Sequence, residues 1–186
     1  PGITGLLEIA GVRQSQLASR DLAFGIGPRL NAAGRLDDMA LGIECLLSPS
    51  IIDARAKATH LDNLNKERRV IENEMKTQAQ ANLKLQHNLT PAGNKTGVCL
   101  YDDDWHQGVI GIVASRIKDQ LHRPVIAFAP AGDNEMKGSA RSIRGLHIRD
   151  ALAAIDAKNP GLIQKFGGHA MAAGLTIEAG HFEQFA

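Results

Sequence analysis

The sequence holds little that would tie it to an oxidising compartment, a zinc centre or a membrane. Its two cysteines, Cys45 and Cys99, lie far apart, and neither has a second cysteine or a histidine at metal-ligand spacing. That removes the usual zinc and paired-thiol motifs, and the two read as reduced thiols of a cytoplasmic protein. No apolar run approaches the ~18 residues of a membrane span. No charged-then-apolar leader ends in a small-residue cleavage site. A dominant charge is also missing: 21 basic against 20 acidic residues leave a formal net charge of +1, so total charge argues nothing about nucleic acid. Residue 1 is a proline with no initiator methionine, as expected of a fragment.

What is present suffices for one domain or two small ones. Hydrophobic residues make up 44% of the 186, enough for a packed core. Residues 1–48 read as short helices and loops, with FGIGPRLNAAGR as a glycine-punctuated loop that lets the backbone approach a ligand. Residues 50–88 read as one long helix. Ser50 and Asp53 resemble a capping box, and Ala54, Ala58, Leu61, Leu64, Ile71 and Met75 form a stripe at three- and four-residue steps. A helix of ~35 residues is about 50 Å long, long enough to bridge two lobes. Thr90–Gly97 reads as a turn-rich linker. Beyond it the pattern alternates: strand Val98–Tyr101, helix Gln107–Leu121, strand Pro124–Ala129, strand Gly138–Ser142, helix Ile148–Ile155, strand Met171–Ile177, and a helix from Phe182. The spacing predicts an α/β layer structure.

Four constellations could carry chemistry. In GPRLNAAGR, Arg29 and Arg35 flank Asn31 among small residues; arginine offers a planar fork to phosphate oxygens, or the pair serves helix ends and the nearby Asp37 and Asp38. In DDDWHQG, Asp102 to Asp104 with His106 could hold a divalent cation or cap a helix. Trp105 there could stack a base or pack. In KGSARS, alternation puts Lys137, Ser139 and Arg141 on one face of a strand: a phosphate cradle, or a polar edge strand facing solvent. Around it, Lys137 to Arg149 holds four cations and no carboxylate, a local excess suited to phosphates or merely a solvated basic face. In FGGHAMAAG, Gly167 and Gly168 can present backbone N–H groups to an anion. His169 follows them, with small residues keeping the surroundings open.

GPRLNAAGR, the Asn65–Arg69 stretch NKERR, WHQGVIGIVASR, GSARS and FGGHAMAAG follow one another in an order that resembles RecJ-like exonucleases of the DHH/DHHA1 phosphoesterase superfamily. The resemblance covers essentially the whole chain. It implies a DHHA1-like mixed sheet with flanking helices, preceded by a long connector helix and a small helical remnant of a DHH lobe. Residues 1–48 would be the end of that lobe, 49–94 the connector and linker, and 95–186 a DHHA1 domain. In such proteins Mn²⁺ or Mg²⁺ ions are held by aspartates and histidines of the DHH lobe, and substrate lies between the lobes. No Asp-His-His occurs in this sequence, so no metal ligand is expected here, and the 186 residues alone are expected to be inert.

Carried over position by position, the resemblance makes Ser139, Arg141 and Ser142 phosphate contacts. Gly167, Gly168 and His169 become the neighbouring wall, and Arg29, Asn31 and Arg35 face the strand path or the metal site from the other lobe. Lys137, His106 and Gln107 have weaker claims. Ser139, Arg141 and His169 are expected to share one pocket. The implied activity is 5′-to-3′ hydrolysis of single-stranded DNA in repair and recombination. Implied partners are single-stranded DNA, a single-strand-binding protein and repair helicases, with no membrane. Alternatives are a phosphodiesterase of short oligonucleotides or cyclic dinucleotides, and, for these residues alone, a non-catalytic single-strand-binding module.

Overall fold

The structure is a computed structural model describing residues 1–89, 96–132 and 134–186; the side chains of 85–89 are outside it. Most of the expected linker therefore lies beyond the described residues. The chain forms two compact units, Pro1–Ile71 and Glu72–Ala186. Among the described residues no helix is long and apolar enough to cross a membrane.

The first unit is helical. Helix α1 (Gly2–Ile9) precedes α2 (Ser19–Asp21), a π-helical turn (Leu22–Ile26), α3 (Gly27–Leu36), α4 (Met39–Leu46) and the start of α5 (Ile51–Leu89). Its core gathers Leu6, Leu7, Ile26, Ala32, Ala33, Cys45 and the stripe residues Ala58, Leu61 and Leu64 of α5. The expected glycine-rich loop FGIGPRLNAAGR is helical instead. Pro28 sits in the first turn of α3, where its fixed φ favours a helix, and Ala32 and Ala33 are fully buried. Gly34 lets the Met39 side chain lie against α3: a Cβ there would stand 2.7 Å from Met39 Cε, which would have to swing aside. Cys45 is a buried free thiol, and burial pushes its pKa up. At the start of α5 the Asp53 N–H donates to Ser50 Oγ at 3.1 Å, half of the expected capping box.

The second unit is the α/β layer structure that the alternation predicts. Five strands, β1 (Val98–Tyr101), β2 (Val125–Pro130), β3 (Glu135–Arg141), β4 (Lys165–Gly168) and β5 (Ala172–Glu178), form one sheet in the order β1-β2-β3-β5-β4. The β1–β2 pair is parallel and the others antiparallel. One face carries the core of Phe128, Met136, Ala140, Leu175 and Ile177, covered by α7 (Ile148–Lys158) and by Phe182 and Phe185 of α8 (Phe182–Phe185). On the other face α6 (Ile110–Leu121) packs over β2 and β3. The remaining length of α5 packs in this unit too: Met75 and Ala79 are buried, and Gln78 and Gln80 hydrogen-bond to Trp105 and Gln120.

Two boundaries and one whole strand depart from the sequence expectation for physical reasons. Helix α6 begins at Ile110 rather than Gln107, because His106–Val109 form a turn in which His106 Nδ1 accepts from the Gly108 N–H at 3.1 Å. Strand β3 begins earlier and is central, flanked by β2 and β5, so it is not an edge strand. Strand β4 has no counterpart in the sequence expectation, since consecutive glycines disfavour strands.

Candidate functional site

The uncovered part of the α6-side face is built from registered rows. In an antiparallel pair, residues directly opposite share a face. Ser139 pairs with Gly174, which pairs with Gly167. Two residues further toward the start of β3, Lys137 pairs with Thr176, which pairs with Lys165. Two residues the other way, Arg141 pairs with Ala172, whose carbonyl accepts from the His169 N–H at 2.8 Å.

The middle row has one hydroxyl and no other side chain, so the sheet backbone is laid open. A Cβ at Gly167 would meet nothing within 4 Å, and one at Gly174 only the Gly138 carbonyl at 3.9 Å. The result is an open groove of about 460 Å³, lined by Gln107, Lys137, Ser139, Lys165, Gly167 and Thr176 among others.

Arg141 is half-buried beside the groove. Its Nη1 donates to Ser139 Oγ at 3.0 Å and to the Ala140 carbonyl at 2.8 Å. The start of α6 bears on the same pair: a Cβ at Gly111 would stand 2.7 Å from Arg141 Nη2 and 2.9 Å from Ser139 Oγ. A glycine at that point gives the guanidinium its place. Ser139 and Arg141 thus act together, a hydroxyl and a fork of donors at one end of a glycine floor, suited to an anionic oxygen cluster.

The other expected residues are distributed more widely. Gln107 and Lys137 line the groove, while His106 spends Nδ1 on the Gly108 turn. Gly168 and exposed His169 lie beside the groove without lining it. Gly168 has φ +145°, and a Cβ there would come within 2.5 Å of the Ala172 carbonyl, so it shapes the hairpin. Ser142 is 1% exposed, and its hydroxyl donates to the Leu146 carbonyl at 2.7 Å. In the first unit, Arg29 pairs with Asp62 at 2.7 Å and also donates to the Gly25 carbonyl. There burial pushes the Asp62 carboxyl up, but hydrogen bonds from Lys66 and Arg29 and the Arg29 charge outweigh it and hold it below the usual range. Asn31 is exposed, and Arg35 is partly buried with its own interactions.

Lys165 and Thr176 were missed by sequence reasoning. Both were legible in principle, since Lys165 stands two residues before Gly167 and Thr176 two after Gly174, the strand period that keeps side chains on one face. The carboxylates of Asp102–Asp104 are used locally. Asp102 Oδ1 accepts from the Asp104 N–H at 3.1 Å. Asp103 accepts from the Tyr101 hydroxyl; that hydrogen bond, with burial and the nearby carboxylates, raises the Tyr101 pKa to about 12. Trp105 packs, 3% exposed, with Nε1 donating to Gln78 at 2.9 Å. Among the described residues no three His, Cys, Asp or Glu side chains gather as a cation would require, so the described residues do not fit a metal.

Comparison with known proteins accounts for both units. The chain is 54% identical over its whole length to the single-stranded-DNA-specific exonuclease RecJ of Dickeya dadantii, and 53% identical to that of Escherichia coli. It spans 32% of the length of each of these relatives. The crystal structure of RecJ from Thermus thermophilus in complex with Mg²⁺ aligns with 99% of the chain and 27% of its own length, at TM-score 0.81 and 30% identity. A crystal structure of exonuclease RecJ bound to manganese aligns with 99% of the chain and 43% of its own, at TM-score 0.78 and 31% identity. The DHHA1 domain model matches residues 94–186, which take in the whole sheet and the groove, and the chain therefore belongs to the DHHA1 domain family.

Proposed function

We propose that this chain is the substrate-holding part of a 5′-to-3′ exonuclease for single-stranded DNA, and that the groove in the second unit seats the phosphorylated 5′ end. The observation that carries the reading is the Ser139–Arg141 pair, joined at 3.0 Å, at the end of a glycine floor. Arginine binds phosphate through parallel N–H donors, and the bare floor lets a sugar-phosphate backbone lie against the sheet. The RecJ relatives support the choice of single-stranded DNA. The divalent ions named in the RecJ structures would act on the scissile phosphate from residues outside this sequence. These 186 residues alone would bind a strand without cutting it. A single-strand-binding protein, repair helicases and a cytoplasmic setting belong to the same reading.

A short oligothymidylate with a 5′ phosphate, compared with its 5′-hydroxyl twin by fluorescence anisotropy, tests the assignment. The phosphorylated strand should bind more tightly, and Arg141→Ala should remove the difference. Equal binding of both strands by the unaltered chain would overturn it. In the longer protein with Mn²⁺, preference for very short oligonucleotides over long strands would select a phosphodiesterase instead.

A further inference from the structure

We infer that Lys137 and Lys165 form a second phosphate subsite, which takes the first internucleotide phosphate while Ser139 and Arg141 hold the terminal one; this rests on the reading above. The two lysines come from different strands, β3 and β4, yet register places both opposite Thr176 of β5. They therefore rise from one row on the same face as Ser139, on either side of β5 and about 9.6 Å apart at the backbone. Both are exposed and line the groove, and neither has an ion-pair partner among the described residues. Thr176 between them is 2% exposed, so the two ammonium groups bound the groove at that point.

Spacing supports the assignment. Rows two residues apart on a strand are separated by about 6.8 Å, close to the distance between successive phosphates of an extended single strand. A chain lying along β3 with one phosphate at the Ser139 row, where Arg141 Nη1 reaches Ser139 Oγ, would meet the lysine row with its next. One row further the sign reverses, because Glu135 pairs directly with Glu178. Two carboxylates facing each other repel a third phosphate, so the cationic track is two phosphates long and the strand must leave the sheet there.

The test couples protein and strand changes. A 5′-phosphorylated oligothymidylate is made with one neutral methylphosphonate linkage at the first, second or third position. Each is bound to the unaltered chain and to Lys137→Ala, Lys165→Ala and the double variant. In the unaltered chain, neutralising the first linkage should weaken binding about threefold to fivefold, the worth of an exposed ion pair. In the double variant the same neutralisation should cost nothing further, while removal of the 5′ phosphate should still cost its full amount. If the first linkage costs as much in the double variant as in the unaltered chain, or if the coupling falls at another linkage, the subsite is overturned. If the 5′ phosphate makes no difference in the unaltered chain, it is the earlier reading that fails. Circular dichroism of each variant shows whether the sheet is intact.

Discussion

At the scale of single residues, two glycines of the second unit do different work, and a Cβ separates them. Gly138 faces the core side, where a Cβ would lie 2.5 Å from Leu175 Cδ2 and 2.6 Å from Phe128 Cε1. Gly138→Ala should therefore overpack the core and cost about 1–3 kcal/mol in urea unfolding. Gly174 faces open space on the groove side. Gly174→Val should change stability by less than about 0.5 kcal/mol but fill the floor beside Ser139. Binding of the 5′-phosphorylated strand should fall about tenfold, the scale of one lost charge-assisted hydrogen bond. An unchanged dissociation constant for Gly174→Val would mean the strand does not lie on that floor. Trp105 gives the opposite contrast. Trp105→Phe keeps a buried ring and loses the indole donor to Gln78. It should cost about 1 kcal/mol of stability and leave strand binding untouched, since the ring packs and does not stack a base.

At the scale of elements, what the sequence made legible was periodicity, and what it hid was tertiary packing. The alternation of strand and helix from Val98 onward and the stripe of the long helix rest on local spacing, and both formed close to their expected bounds. The π-helical turn and α3 were hidden because glycine and proline in a cluster usually signal a loop; here Pro28 opens α3 and Gly34 admits Met39. Strand β4 was hidden because two of its four residues are glycine, and it is pinned by pairing with β5. In the site, alternation along β3 was enough to group Lys137, Ser139 and Arg141. The partner row on β4 and β5 depends on register, which one strand alone does not reveal.

The same scale decides the role of Arg29. Its side chain is 15% exposed and that of its partner Asp62 13%, so the pair links α3 to α5 largely out of water. Because the Asp62 carboxyl is held below its ordinary value near 3.8, the charged form is favoured by folding. That contribution is present above the ordinary value and is lost as pH falls through the lower, folded one. Acidification below about pH 4 should therefore weaken this contribution. Asp62→Asn should cost about 1–3 kcal/mol at neutral pH and flatten the acid limb. Urea midpoints followed by far-ultraviolet circular dichroism across that range would show it; an acid limb as steep in the variant as in the unaltered chain would place the titration elsewhere.

At the scale of the whole molecule, a net charge of +1 cannot draw a polyanion from a distance, so affinity must come from the few cations that reach phosphates. Binding of nucleic acid to protein falls with salt in proportion to the phosphates neutralised, about 0.7 in the logarithmic slope for each phosphate of a single strand. On the proposed reading the groove offers one terminal and one internal position before the Glu135–Glu178 pair. The slope for a 5′-phosphorylated strand should thus be shallow, about 1.4 for two phosphates. It should stop rising once the strand is a few nucleotides long, and Arg141→Ala should lower it by one phosphate's share. Titrations at several salt concentrations with a ladder of strand lengths measure this directly. A slope that keeps growing with length would mean that the exposed cations Arg144 and Arg149 extend the track beyond the groove, and that the chain grips a strand along its length rather than by its end.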